Sequence, residues 1–207
     1  MADRGPAPSA LVLPGLAAAD GSTVAMRAAL ARRGIRTHRW NLGRNTGPSD
    51  RVMTALRSRL SDLVERREQP IALVGWSMGG VYAHLLAEMA PEHVRAVVTL
   101  GSPLARGDRR PRLEVPTASI YSRIDGVVPW QFSTVDEGWA RHENIEVRTP
   151  HLLLGFDPAV IHAVGDRIVC DPQRWEPFHP PRFMRSAFPG RRARRLDSTP
   201  TAAAHTD

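Results

Sequence analysis

The feature that most constrains this sequence is a serine among glycines, at the junction between an apolar segment and a helical one. Residues 75–80 read Gly-Trp-Ser-Met-Gly-Gly and directly follow the all-apolar residues 71–74. A short run of this kind is typical of a strand buried on both faces, and helical spacing continues from Ser77 to about Met89. Because glycines remove side chains that would collide in a tight turn, the sequence predicts a strand–turn–helix unit with Ser77 at its apex.

Short apolar segments alternate with helical segments along most of the chain. Ser49 is placed to cap one helix, and Asp157 followed by Pro158 is placed to begin the last one. The alternation predicts an α/β fold, a three-layer sandwich in which a mainly parallel sheet of about six strands is covered by helices on both faces, with little or no cap domain. The predicted strands are residues 11–13, 37–42, 71–74, 94–100, 118–121 and 145–148, and the predicted helices are residues 23–33, 49–68, 77–89 and 157–169.

The length of 207 residues suits a single domain. We expect residues 1–180 to form that domain and residues 181–207, which are rich in Arg, Pro and Ala, to be disordered. The formal net charge is +7, but all 28 cationic residues are arginine, which favours a compositional bias over a binding function. The segment from Arg182 onward carries +4 of that charge, so no nucleic-acid partner is expected for the domain.

The sequence points to a protein without metal, disulfide or membrane segment. Cys170 is the one cysteine, so it forms no internal disulfide, and it lacks the spacing of a metal site. No apolar stretch approaches the roughly 18 residues needed to span a bilayer, so no stable membrane insertion is expected. Pro14 and Gly15 break the apolar run near the start, which is unlike a signal peptide and predicts a cytoplasmic location. The oligomeric state is not indicated.

Ser77 is the candidate nucleophile. A serine hydroxyl needs a base to take its proton and an acid to orient that base, and both must lie after other strands at the same edge of the sheet. Asp125 follows a predicted strand, and His151 lies in the loop after the last one; a turn aspartate and a surface histidine are the simpler interpretations. Asp108, in an Arg-rich loop, and Asp136, which follows no strand, are weaker candidates for the acid.

These residues resemble the α/β-hydrolase superfamily, and more closely its small bacterial esterase- and lipase-like members. The resemblance extends over roughly residues 11–169 and implies the α/β-hydrolase fold, with the order serine, acid, histidine along the chain. That order excludes His38 as the base, because it precedes Ser77. Four further histidines are also poorly placed. His84 and His162 lie in predicted helices, His142 lies before the last strand, and His179 lies in the tail. The resemblance is carried by residues 13–16 (Leu-Pro-Gly-Leu), 75–80, 101–103 (Gly-Ser-Pro), 125–129 (Asp-Gly-Val-Val-Pro), and His151 followed by 157–160 (Asp-Pro-Ala-Val).

The resemblance also implies a mechanism. Ser77 attacks the carbonyl carbon of an ester, His151 transfers the proton, and Asp125 holds the imidazolium. Two N–H groups would stabilise the oxyanion, that of Met78 at the start of the helix and that of Leu16 in the loop after the first central strand. No metal or other cofactor takes part.

The oxyanion loop departs from the family pattern. Many members have His-Gly at this point, whereas this chain has Pro14-Gly15. The backbone donors can still form, because the missing N–H belongs to Pro14. Two interpretations of Asn45, in the segment Gly-Arg-Asn-Thr-Gly-Pro of residues 43–48, stand side by side. Its side chain orders the oxyanion loop through hydrogen bonds, or it is a turn asparagine.

Apolar side chains near the expected mouth of the site suit an acyl group, because acyl pockets are mostly apolar. The candidate substrate-binding residues are Trp76, Leu104, Trp130 and Leu152, although each taken alone also fits core packing. With only the loops 102–116 and 128–144 to cover it, the predicted site is open. An open site favours a soluble or short-chain ester, or an acyl group presented on a larger carrier.

The expected function is therefore that of a serine ester hydrolase, which cleaves a small-molecule ester or thioester through an acyl-enzyme. An acyltransferase with the same triad, in which an alcohol or amine replaces water, is one alternative. A non-catalytic protein whose Arg-rich tail binds an anionic membrane surface or nucleic acid is another. The order of Ser77, Asp125 and His151 favours the enzymes.

Overall fold

A computed structural model describes residues 6–105, 112–139 and 141–190. The strands in these residues form one sheet of order β2-β1-β3-β4-β5-β6, and all neighbouring strands are parallel. The predicted parallel sheet is therefore confirmed. The strands are β1 (Ser9–Leu13), β2 (Arg36–Arg39), β3 (Ile71–Trp76), β4 (Val94–Leu100), β5 (Thr117–Ser122) and β6 (His142–Val147).

Helices cover both faces of the sheet, and side chains alternate along each strand between two cores. Ala72 and Val74 in β3 pack in the core beneath α1 and α4, whereas Leu73 packs in the core beneath α2 and α3. This is the predicted three-layer sandwich, and nothing as large as a cap domain is present among the described residues. The helices are α1 (Val24–Arg32), α2 (Asp50–Arg67), α3 (Met78–Met89) and α4 (Pro158–Val169).

Both predicted helix caps are present. The Ser49 hydroxyl accepts a hydrogen bond from the Val52 N–H at 3.3 Å, and Asp157 Oδ1 accepts one from the Ala159 N–H at 2.7 Å. These short polar side chains satisfy amide donors that have no partner inside a helix. In the described part of the chain, no helix has the length and apolar character needed to cross a bilayer.

The largest differences from the predicted strand bounds are three residues, in β2 and β6. β2 ends at Arg39 instead of residue 42, because the next two backbone N–H groups, of Trp40 and Asn41, donate to the Asp20 carboxylate at 2.9 and 3.0 Å. β6 begins at His142 instead of residue 145. Its first residues are polar, so no apolar pattern marks them; the buried Glu143 is paired there with Arg167 of α4, at 2.6 Å.

The structure also differs from the disorder expected from residue 181. A short 3₁₀ helix spans Arg182–Ala187, and Phe188 after it is fully buried. Phe188 packs on Phe178 with 5.0 Å between ring centroids, and both belong to the core beneath α1 and α4. A few aromatic residues thus anchor a segment whose average composition is polar. The rest of the expected tail, residues 191–207, lies outside the described residues.

Candidate active site

Ser77 lies in the tight turn between β3 and α3, with φ 54° and ψ −121°. A left-handed φ is uncommon for a residue other than glycine and is kept only where the surroundings enforce it. The surroundings here leave no room for Cβ atoms: a Cβ on Gly75 would collide with the backbone of Gly80, and one on Gly79 with the carbonyl of Leu13. Close packing of β1, β3 and α3 therefore holds Ser77 at the apex of the turn.

Asp125 and His151 form a buried hydrogen-bonded pair. Asp125 Oδ2 lies 2.7 Å from His151 Nδ1, and both side chains are nearly inaccessible to solvent. The other carboxylate oxygen, Oδ1, accepts hydrogen bonds from the N–H groups of Val127 and Val128 at 3.0 and 2.6 Å. The backbone N–H of His151 also donates to the backbone carbonyl of Asp125, at 2.9 Å. These hydrogen bonds fix the orientation of the His151 ring, with Nδ1 toward the carboxylate.

The end of β4 contacts all three candidate catalytic residues. The Ser77 backbone N–H donates to the carbonyl of Leu100, the last residue of β4, at 2.8 Å. A Cβ on Gly101, the next residue, would lie 2.7 Å from Asp125 Oδ2 and 3.0 Å from His151 Nδ1, so only glycine fits against this pair. Among the described residues no hydrogen bond joins Ser77 Oγ to His151; such bonds are often long before substrate binds.

The candidate oxyanion loop, residues 14–18 after β1, runs beside Ser77. A Cβ on Gly15 would lie 3.4 Å from the Ser77 Cβ and 4.0 Å from its Oγ, so this loop reaches the serine without clashing with it. Within the residues that the structure describes, neither the Leu16 N–H nor the Met78 N–H donates a hydrogen bond. Both amides are therefore available to a negatively charged oxygen.

Trp76, predicted to contact substrate, is instead buried behind the histidine loop. Its indole N–H donates to the carbonyl of His151 at 3.2 Å, and its ring packs edge-on against Phe156 with 5.9 Å between centroids. A Cβ on Gly155 would touch the ring at 2.6 Å, so the loop closes tightly over the indole. Its position suits a residue that holds His151, a role that the sequence did not indicate.

The other predicted substrate-binding residues lie in three different environments. Leu104 is largely buried, and its N–H donates to the carbonyl of Phe132 at 2.7 Å. Trp130 stacks on Tyr121 at 5.7 Å and borders a cavity of about 470 Å³ whose lining includes none of the three candidate catalytic residues. Leu152 is 71% exposed directly after His151, so it alone of the four presents an open apolar surface next to the base.

Two alternatives to the predicted acid and base have unsuitable positions. Burial lowers the pKa of His84, in α3, to about 3, so its imidazole is a weak base, and both of its ring nitrogens are buried without a hydrogen-bond partner among the described residues. Asp136 lies near the surface and pairs with Arg112 at 2.8 Å. Asp108 lies outside the described residues.

The chain is similar to known proteins in sequence and in structure. A family model described as alpha/beta hydrolase fold matches residues 66–142, and no curated protein sequence matches the chain. Among solved structures, lipase B of Aspergillus fumigatus is 14% identical with a TM-score of 0.65, over 82% of this chain and 54% of that one. This chain thus spans about half the length of that lipase.

Two further similar structures are matched over most of their own length. The monoacylglycerol lipase of Paleococcus ferrophilus is 13% identical with a TM-score of 0.62, over 78% of this chain and 93% of that one. The thioesterase domain from the curacin biosynthetic pathway is 13% identical with a TM-score of 0.55, over 79% and 91%. Similarities at these identities establish a shared architecture, and the sheet order and the serine turn agree with it. The chain therefore has the α/β-hydrolase fold.

Proposed function

We propose that this protein is a serine hydrolase that cleaves a carboxylic ester or thioester through an acyl-enzyme intermediate. The observation that carries the proposal is the buried Asp125–His151 hydrogen bond of 2.7 Å, at the edge of the sheet where Ser77 stands in the strained turn with φ 54°. A serine, a histidine and an aspartate that follow β3, β6 and β5 at one edge of the sheet occupy the places that the members of a catalytic triad have in this fold, which supports the proposal.

The proposed reaction has two halves. In the first, Ser77 Oγ attacks the carbonyl carbon while His151 Nε2 takes the hydroxyl proton, and the Leu16 and Met78 N–H groups stabilise the oxyanion. Collapse of the tetrahedral intermediate breaks the bond to the alcohol or thiol, which leaves with the proton from His151. In the second half, water attacks the acyl-serine with His151 again as the base, and the acid is released.

Exposed apolar side chains support an acyl substrate. Large hydrophobic residues are exposed on the loops that follow β1, β5 and β6, the same loops that carry the candidate site, and apolar surface of this kind accommodates an acyl group. The similar structures named above include lipases and a thioesterase, which agrees with either an oxygen ester or a thioester. The exposed residues are Leu16, Ile124, Val127, Phe132, Leu152, Leu153 and Phe156.

The test is hydrolysis of a p-nitrophenyl ester series, from acetate to palmitate, by the wild type, Ser77→Ala and the control Ser22→Ala. We expect kcat to fall about a thousandfold or more in Ser77→Ala, and to stay within about twofold in Ser22→Ala because Ser22 bonds only the Ala19 carbonyl near the surface. A fluorophosphonate should label wild type at Ser77. Activity that survives in Ser77→Ala, or a folded wild type without activity or label, would overturn the proposal.

A further inference from the structure

Asn45 holds the candidate oxyanion loop from both ends. Its side chain is fully buried, and Nδ2 donates to the carbonyl of Pro14 at 2.9 Å. Its backbone makes two more hydrogen bonds to the loop: the Ala17 N–H donates to the Asn45 carbonyl at 2.7 Å, and the Asn45 N–H donates to the Ala18 carbonyl at 2.8 Å. Leu16 thus lies in the middle of a loop that one residue fixes on either side.

Tyr82 connects Asn45 to the helix that begins after Ser77. The Tyr82 hydroxyl, fully buried in α3, donates to Asn45 Oδ1 at 2.9 Å, and the Gly47 N–H donates to the same oxygen at 3.1 Å. Asn45 Oδ1 thus accepts two hydrogen bonds and Nδ2 donates one, and these three bonds fix the orientation of the side-chain amide. The Tyr82 ring packs on Trp40 with 5.8 Å between centroids, so the hydroxyl is held in place by the core.

The oxyanion loop has a strained backbone. Ala17 has φ 60°, a left-handed conformation that is unfavourable for a residue other than glycine. Such strain lasts only where surrounding contacts enforce it, and it is often found at functional sites. Here the hydrogen bonds of Asn45 enforce it. They occupy the carbonyls of Pro14 and Ala18 and the Ala17 N–H, and they leave the Leu16 N–H available.

We propose that Asn45 and Tyr82 are positioning residues that hold the Leu16 N–H in place for the oxyanion. The inference rests on the proposed function and assigns new roles within it. Transition-state stabilisation needs both amide donors at hydrogen-bond distance from one oxygen. The Met78 N–H belongs to α3 and the Leu16 N–H to the loop after β1, so a rigid connection between these two elements sets the separation of the donors. Tyr82 and Asn45 provide that connection.

The test is Tyr82→Phe, which removes one hydroxyl and keeps the aromatic packing, with Tyr121→Phe as the matched control. The Tyr121 hydroxyl is also hydrogen-bonded, to Glu146 at 3.3 Å, but it does not contact the oxyanion loop. We expect kcat to fall about tenfold in Tyr82→Phe with KM within about twofold, because loss of a whole oxyanion donor costs about 10²–10³-fold. Tyr121→Phe should keep the wild-type kcat.

A trifluoromethyl ketone distinguishes positioning from a purely structural role. Its adduct with Ser77 carries an oxyanion, so its inhibition constant should rise in Tyr82→Phe by the same factor as kcat/KM falls. Asn45→Ala, if it folds, should lose about 10²-fold in kcat. A Tyr82→Phe protein with a lower melting temperature but unchanged kcat and inhibition constant would refute the positioning role alone. Loss of the proposed function itself would be seen separately, as wild-type activity that does not depend on Ser77.

Discussion

The nucleophile side of the candidate site, β3 and α3, is held by steric crowding, whereas the acid–base side, in the loops after β5 and β6, is held by hydrogen bonds. Around Ser77, Cβ atoms at Gly75 and Gly79 would collide with backbone atoms. Asp125 and His151 are instead separated by 26 residues and joined by a polar contact of 2.7 Å. Steric crowding allows the turn at Ser77 a single conformation. The relative position of Asp125 and His151 depends instead on the hydrogen bonds between their two loops.

This difference means that substitutions should have different effects on the two sides. On the acid–base side, removal of a polar atom should change the reaction more than the fold, because Asp125 and His151 belong to neither of the two cores. On the nucleophile side, an added methyl group should change the fold first.

Asp125→Asn is expected to have the largest effect, on catalysis. The amide keeps an oxygen for the Val127 and Val128 N–H groups, but it no longer stabilises an imidazolium or fixes the tautomer of His151. We expect kcat on the best p-nitrophenyl ester to fall about 10³–10⁴-fold, with thermal unfolding changed far less. Asp136→Asn, which removes a carboxylate paired with Arg112 near the surface, should stay within about twofold. Equal activity in the two variants would exclude Asp125 as the catalytic acid.

Gly75→Ala is expected to lower the stability of the folded protein. The added methyl would collide with the backbone of Gly79 and Gly80 at the start of α3, so strand and helix must separate. We expect the free energy of unfolding in urea to fall by about 3 kcal/mol. Gly21→Ala is the control, because a Cβ there meets no atom within 4 Å, and it should change stability by less than about 0.5 kcal/mol. A stable Gly75→Ala protein would show that crowding does not hold the turn.

Trp76→Phe is expected to have the smallest effect and tests the contact between the two sides. Trp76 precedes Ser77 in the chain, yet its indole N–H bonds the carbonyl of His151 at 3.2 Å. Loss of one such bond is worth about 1 kcal/mol, so we expect kcat to fall about fivefold and KM to change little. Trp175→Phe is the matched control, because the Trp175 indole N–H has no hydrogen-bond partner among the residues that the structure describes. A shifted pH–rate profile in Trp76→Phe alone would show that the contact acts through His151.

The sequence predicted well those features that depend on neighbouring residues. The serine turn follows from adjacent glycines and an apolar strand, and the caps Ser49 and Asp157 bond amides two or three residues away. The alternation of strands and helices predicted the parallel sheet for the same reason. The predicted strand bounds were wrong where contacts with a residue far away in the chain determine where a strand begins. β6 is an example, because its polar first residues are buried by contact with Arg167.

The role of single side chains in the site was decided by the tertiary structure. Nothing near Trp76 in the sequence indicates that its indole bonds a carbonyl 75 residues away, and Asn45 could be told from a turn asparagine only by its contacts with Pro14 and Tyr82. Local sterics and periodicity specify which elements form, because they act over a few residues. Contacts between side chains far apart in the chain exist only once the sheet has brought the strand ends together, so the sequence by itself determined the fold and the serine turn, and the packed structure determined which side chains surround that turn.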